Sequence, residues 1–250
     1  MIYFIGAGPG DPDLITVKGA NILASCGVVI YAGSLVNPDV LRYARRDARV
    51  YDSSGMNLEE IIDVMKSAHG EGLDVARLHT GDPSIYSAVR EQAEMLKKLG
   101  IPFEIIPGVS SFTAAAAVLK SELTVPGVSQ TVIITRVPGR TPVPERERLK
   151  SLAAHRATMA VFLSADRIKD VADELIQSYG PKTPVAVVYR ATWEDQKVVR
   201  GTLEDIAGKV EEEGIKRTAV IIVGEALGDA FEFSKLYDPS FSHGFRSGTP

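Results

Sequence analysis

The chain has 250 residues, 45% of them hydrophobic and 24% charged, which suits a soluble globular protein with one large core or two modest ones. A formal net charge of -4 argues against a general nucleic-acid binder, which carries a basic balance. The single cysteine, Cys26, leaves neither a disulfide framework nor a multi-cysteine metal site; no apolar run reaches the roughly 20 residues of a membrane span, no secretory signal opens the chain, and a cytoplasmic protein is expected.

The first element is an apolar, β-prone run, Ile2-Tyr3-Phe4-Ile5, that empties into Gly6-Ala7-Gly8-Pro9-Gly10-Asp11-Pro12-Asp13 before an amphipathic segment starts at Leu14. This loop has the outline of a dinucleotide fingerprint and fails it. Asp11 stands where the third glycine should open a helix, Pro9 lacks an amide donor, and Asp11 and Asp13 would repel a phosphate at a helix start. The next strand, Val28–Tyr31, runs into Ala32-Gly33-Ser34 instead of the acidic residue that would hold a ribose. Such a loop suits a ligand or backbone that approaches closely without a phosphate chain.

Further strands are expected near 49–51, 74–78 and 103–106, separated by segments of helical period, a rhythm that implies parallel βα units. One helix spans 58–69, with Asn57 as its cap, Glu60 three residues on, and Gly70 and Gly72 at its end. Another spans about 84–99 and stops at Gly100. Between 119 and 130 the pattern lapses at Pro126-Gly127, which places a domain boundary there: 1–119, then 131–228, then a tail 229–250. The second series reads as strand 131–135, a basic loop, helix 145–154, strand 159–163, helix 166–179, strand 184–189, a hairpin around Glu194-Asp195, helix 203–213 and strand 218–223. A hairpin return implies a mixed sheet. The polar, glycine-rich stretch from Ser240 to Pro250 is expected to pack loosely or to move.

Three strand-end loops of the first half permit close backbone approach: Gly6–Gly10, Thr80-Gly81-Asp82-Pro83 and Pro107-Gly108-Val109-Ser110-Ser111. In a parallel sheet their carboxyl ends face one way, so they converge on one crevice. Asp82 either anchors an amine or sugar hydroxyl or caps a helix starting near Ser84. His79 beside it reads as a structural hydrogen-bonder more than a catalyst. No HxxxH, CxxC, GxSxG or Walker pattern occurs. After the strand at 131–135, Arg136 and Arg140 sit on a Pro-punctuated loop and suit carboxylates, which guanidinium binds as a fork, whereas Arg146 and Arg148 alternate with glutamates as a solvated surface. Tyr189 and Trp193, with Arg190 between them, either flank a flat ligand or pack in a core or hinge.

Taken together, GAGPGDPDLITVKG after Tyr3, HTGDPSIY at 79–86, PGVSS at 107–111 and the closing strand Ala219–Gly224 resemble the tetrapyrrole methylases, collinearly over roughly residues 2–228. YAGSLVNPDV at 31–40, SGMNLEEI at 54–61 and LTVPGVSQTVIITRVPGRTPVPE at 123–145 are similar to the members that methylate C11 of precorrin-4 or cobalt-precorrin-4 in corrin-ring synthesis. The resemblance implies an α/β protein of two domains, a parallel-rich N-terminal sheet and a mixed C-terminal one, with the active site in the interdomain cleft, usually as a homodimer. It implies S-adenosyl-L-methionine as cofactor, S-adenosyl-L-homocysteine as its product and a tetrapyrrole as substrate, with no protein-bound metal and neither nucleic acid nor membrane as partner. Carried over by motif, the cofactor positions are Pro9; Gly81, Asp82 and Ile85; Ser110 and Ser111; Leu163 in VFLSA; and Ala191 and Ala219. Ser34 and Met56 are carried as substrate positions, with Arg136 and Arg140 for the acetate and propionate arms. No general base is assigned. One departure stands out: sirohaem-branch members have an aspartate directly after the tyrosine of the second strand, and here Ala32 follows Tyr31, which argues against a uroporphyrinogen methylase. The competing readings are a methylase of the same fold acting at another precorrin position, on diphthine or on ribosomal RNA, and a non-catalytic tetrapyrrole carrier or dinucleotide sensor.

Overall fold

The computed structural model describes residues 1–249, and the chain folds as two compact units, Met1–Ala115 with Arg190–Gln196 and Ala116–Tyr189 with Lys197–Pro250. In the first unit, β1 (Ile2–Gly6), β2 (Val28–Tyr31), β3 (Arg49–Asp52), β4 (Val75–His79) and β5 (Phe103–Ile106) form one parallel sheet in the order β3-β2-β4-β1-β5. From β1 the chain steps outward to β2 and β3, then returns through β4 to β5. Right-handed crossovers made in opposite directions put helices on opposite faces. Accordingly α1 (Val17–Ser25) covers one face, and α2 (Leu58–Gly70) and α3 (Val89–Lys98) cover the other.

Two cores result, and the strands are shared between them residue by residue. Ile2, Phe4, Val28 and Ile30 pack with Met65 and Leu96 on one side, while Ile5, Val29, Ala76 and Leu78 pack with Leu23 and Cys26 on the other. Burial on both faces explains why these strands read as continuous apolar runs rather than alternating ones. Helix α2 starts where the sequence predicts: the Asn57 side chain accepts from Glu60 N at 3.0 Å, and the Glu60 carboxylate accepts from Asn57 N at 2.7 Å. The helix expected over 84–99 is shorter. It begins at Val89, because Tyr86 and Ala88 take left-handed φ of 52° and 50° and Asp82 accepts the N–H of Ser84, holding the segment before it in turns.

Helix α4 (Ser111–Leu119) carries the chain past the division at Ala115. The second unit then forms β6 (Val132–Arg136), β7 (Thr158–Phe162), β8 (Pro184–Tyr189), β9 (Lys197–Thr202) and β10 (Ala219–Val223), ordered β6-β7-β10-β8-β9. Only β6 and β7 are parallel, so the sheet is mixed, with β8 and β9 as the expected hairpin. Its core joins Met159, Val161, Val187 and Ile221 of the sheet to Leu149 of α5 (Leu149–Leu152), Val171 and Leu175 of α6 (Ile168–Tyr179) and Ile206 of α7 (Ile206–Glu212). The helix expected over 145–154 is broken into short turns around α5. Arg148 is extended, with ψ 149°, and only Leu149 and Ala153 of this stretch are fully buried, too little to hold three helical turns. From Asp229 to Thr249 there is neither strand nor α-helix, and Phe231, Phe233, Tyr237 and Phe245 are exposed; the last residue of the expected tail, Pro250, lies outside the described residues.

Candidate active site

In the first unit β4, β1 and β5 are adjacent and parallel, so the loops leaving their carboxyl ends meet. Ala7 N donates to His79 O at 2.8 Å, Gly81 N donates to Gly8 O at 2.8 Å, and Gly108 N donates to Asp82 Oδ2 at 2.8 Å. The approach is so close that a Cβ on Gly6 would lie 2.6 Å from Gly108 Cα and 2.7 Å from Gly81 O. Both oxygens of Asp82 are engaged, since Oδ1 also accepts from Ser84 N at 2.8 Å and from the Ser84 hydroxyl. Burial pushes this carboxyl's pKa up, but the hydrogen bonds from Ser84 and Gly108 outweigh it and hold Asp82 below its usual range. Asp82 is therefore an anion that clasps two loops, not the cap of α3.

The opening loop is clasped from its other side by residues far along the chain. Trp193 Nε1 donates to Pro9 O at 2.9 Å, Asp11 N donates to Thr192 Oγ1 at 2.9 Å, and Asn37 Nδ2 donates to Gly10 O at 2.9 Å. A Cβ on Gly10 would stand 2.2 Å from Trp193 Cδ1 and 2.9 Å from Ala191 O. Arg190 lies over the Trp193 ring at 4.8 Å and pairs with Asp195 at 2.7 Å. Both Arg190 and Thr192, on either side of Ala191, have left-handed φ of 45° and 71°, a cost that the bonds of this loop must outweigh. The sequence placed 190–196 within 131–228; in the fold it belongs to the first unit, and Trp193 packs against the opening loop. Pro9, Gly81, Ser110 and Ala191 are buried, and Asp82, Ile85 and Ser111 are half-buried.

In the second unit, Leu163 follows β7 with φ 50° and is 68% exposed, and Ala219 opens β10. The β7–β10 register pairs Val161 with Ile221, and continuing it by two residues sets Leu163 opposite Ala219. Arg136 ends β6 on the same sheet edge, beside Phe162. Its guanidinium is occupied by its own loop, donating to Thr141 O and Pro142 O at 3.0 Å each and to Val137 O at 3.3 Å. It shapes that loop. Arg140 is exposed at the loop's tip, with no hydrogen bond or ion pair among the described residues. Arg146 and Arg148 pair with Glu147 and Glu145 at the surface, as their alternation predicts.

A model of the tetrapyrrole (corrin/porphyrin) methylases matches residues 1–207. The chain belongs to this family. It is 59% identical over 98% of its length to a cobalt-precorrin-4 C(11)-methyltransferase of Methanocaldococcus jannaschii, covering 95% of that protein, and 50% identical to a precorrin-4 C(11)-methyltransferase of Pseudomonas aeruginosa, covering 99% of both. Among solved structures it is similar to a cobalt precorrin-4 methyltransferase, with a TM-score of 0.89 at 49% identity over 91% of this chain and 96% of the other. A uroporphyrin-III C-methyl transferase from Thermus thermophilus, solved with S-adenosyl homocysteine, gives 0.75 at 31% identity over 91% and 93%.

The loops of this methylase fit a sulfonium cofactor. None of the three strand-end loops bears a lysine or arginine that would repel a cation, and glycine, proline, alanine and serine make up most of their residues. Among the described residues, no group of three or more His, Cys, Asp or Glu is placed to hold a metal ion, and no helix is long and apolar enough to cross a membrane. His79 is buried against Phe4, with ring centroids 5.8 Å apart; burial first, then the charge of Arg77, pushes its pKa down to about 3. It stays neutral, and its buried Nε2 has no hydrogen-bond partner among the described residues, so it serves as a packed ring and not as the hydrogen-bonder read from the sequence. Ser34 is exposed after β2, and Met56 is half-buried beside the core around Met65. Between them lies a residue that the motifs did not flag, Asp52, whose Oδ1 accepts from Gly33 N at 2.9 Å and Ser54 N at 2.8 Å and so ties the exits of β2 and β3. Its one signal in the sequence is an acid at a strand's carboxyl end, which an ordinary turn shares.

Proposed function

We propose that this methylase transfers a methyl group from S-adenosyl-L-methionine to C11 of precorrin-4 or cobalt-precorrin-4 in corrin-ring (cobalamin) synthesis, as a cytoplasmic homodimer. The observation that carries the reading is near-full-length identity to relatives named for that reaction, against 32% to a uroporphyrinogen-III C-methyltransferase. Ala32 after Tyr31 supports it independently.

When bound, the cofactor supplies an electrophilic methyl on sulfonium and leaves as S-adenosyl-L-homocysteine. Pro9, Gly81, Asp82, Ile85, Ser110, Ser111 and Ala191 are its proposed contacts, with Leu163 and Ala219 as further positions. The acceptor is an electron-rich ring carbon, so the chain's part is to orient and desolvate. Uncharged walls suit this task, because a free carboxylate beside a sulfonium would lower its reactivity; Asp82 is already spent on two amides. Ser34 and Met56 are the proposed contacts to the ring, and the exposed Arg140 is the proposed fork for a carboxylate arm. No general base is assigned: burial pushes the pKa of His79 down to about 3, and hydrogen bonds hold the carboxyls of Asp52 and Asp82 below their usual range, so these three are weak bases.

Anaerobic incubation with methyl-labelled cofactor and each substrate tests the reading by NMR of the product. Label at C11 is expected; its absence from that carbon with both substrates would sink the assignment. The ratio of turnover with metal-free and cobalt substrate decides between the two.

A further inference from the structure

Within the apolar strand Val75-Ala76-Arg77-Leu78-His79 one residue is out of character. Arg77 is only 7% exposed, on the face that buries Phe4, Ile30 and Met65. Among the described residues no carboxylate pairs with it, and burial pulls its pKa down to about 10, so it remains a cation at neutral pH. An unpaired buried charge is costly, and apolar residues of similar volume often replace buried ions at no loss of stability. Packing alone would favour methionine or leucine here.

What the guanidinium does is link elements. Nε donates to Gln92 Oε1 of α3 at 3.2 Å, and Nη1 donates to Ser53 Oγ at 2.8 Å. Ser53, itself buried, passes the link on by donating to Tyr31 O at 3.1 Å. The rigid planar fork thus spans from α3 across β4 to the exits of β3 and β2, a reach and geometry that a single ammonium does not reproduce. Those exits lead straight to Met56 and Ser34. Asp52 joins them from above through Gly33 N and Ser54 N, and Arg77 anchors the same pair of loops from within the core.

We propose that Arg77 is a positioning residue for substrate, fixing through Ser53 the two loops that bear Ser34 and Met56, without touching the cofactor loops. The proposal rests on the tetrapyrrole reading of those loops, and its test separates the two. The variants are R77M, R77K, S53A and R77M/S53A, each compared with the intact protein for KM and kcat on cobalt-precorrin-4, for calorimetric affinity toward S-adenosyl-L-homocysteine, and for hydrogen exchange at amides 32–36 and 54–56. A lost charge-assisted link corresponds to about tenfold. We expect R77M and R77K each to raise KM by about that factor, with homocysteine-product affinity within about twofold of wild type and faster exchange in both segments. S53A acts in the same direction, and the double variant is no worse than R77M, since the two residues form one link. An unchanged KM, full rescue by R77K, additive effects, or a parallel fall in S-adenosyl-L-homocysteine affinity each overturn the proposal. Should the wild-type protein not turn over the substrate, the functional reading fails, and the exchange data still decide the inference: unchanged protection of 32–36 and 54–56 in R77M and S53A refutes it.

Discussion

Trp193 offers the sharpest probe of the proposed cofactor loops, because its indole donates to the buried carbonyl of Pro9 and it is the only tryptophan in the chain. The substitution W193F keeps an aromatic ring beside Gly10 and beneath Arg190 but removes the donor. A neutral hydrogen bond contributes about 0.5–1.5 kcal/mol net, and leaving a buried acceptor unpaired costs about 1–3 kcal/mol; a total near 2 kcal/mol is expected for this site. The cation–π contact of Arg190, at 4.8 Å, persists on phenylalanine and adds little to the difference. In a protein of this size, about 2 kcal/mol lowers the melting temperature by about 4–8 °C. If the same clasp holds Pro9 and Ala191 in their binding positions, affinity for S-adenosyl-L-homocysteine falls by up to about 30-fold. Calorimetry and thermal melts of W193F measure both effects, and the indole emission of the wild-type protein should shift on titration with S-adenosyl-L-homocysteine. Wild-type affinity and melting temperature in W193F, together with emission that ignores saturating ligand, would refute the claim that this loop shapes the cofactor wall.

Gly6→Ala puts a methyl 2.6 Å from Gly108 Cα, where no flexible side chain can yield, and overpacking of this kind costs about 1–3 kcal/mol or more; denaturant melts should show it, and a wild-type midpoint would contradict the convergence of the loops. The two arginines of the second unit should separate: R140A raises the substrate KM about tenfold with an unchanged melting temperature, whereas R136A, by unpairing three loop carbonyls, lowers the melting temperature. A pH series of melts tests His79. Its folded pKa, about 3, lies below its ordinary 6.5, so between those values the unfolded chain binds the extra proton and stability rises with pH; the contribution approaches ~1.4 kcal/mol per pH unit and disappears in H79F. An identical pH slope in H79F would show that the imidazole is not buried as described.

The strands of the first unit and the capped helix α2 are written locally. Burial on both faces leaves continuous apolar runs such as Val28–Tyr31, and Asn57 with Glu60 forms its box within four residues, so short-range pattern suffices. The meeting of the three glycine loops follows as well, since parallel strands must deliver their carboxyl ends to one side. Local pattern is silent on which partner a polar side chain finds. Asp82 next to Ser84 reads equally as a helix cap until Gly108, 26 residues on, takes its second oxygen. Arg136 reads as free for a carboxylate until its own loop folds back to offer carbonyls, and Trp193 reads as a loose aromatic until a hairpin carries it 184 residues back to Pro9. Hydrophobic period reports burial of a face, which the chain decides locally. Hydrogen-bond partnership needs two groups within about 3 Å, and only the tertiary fold brings distant residues that close.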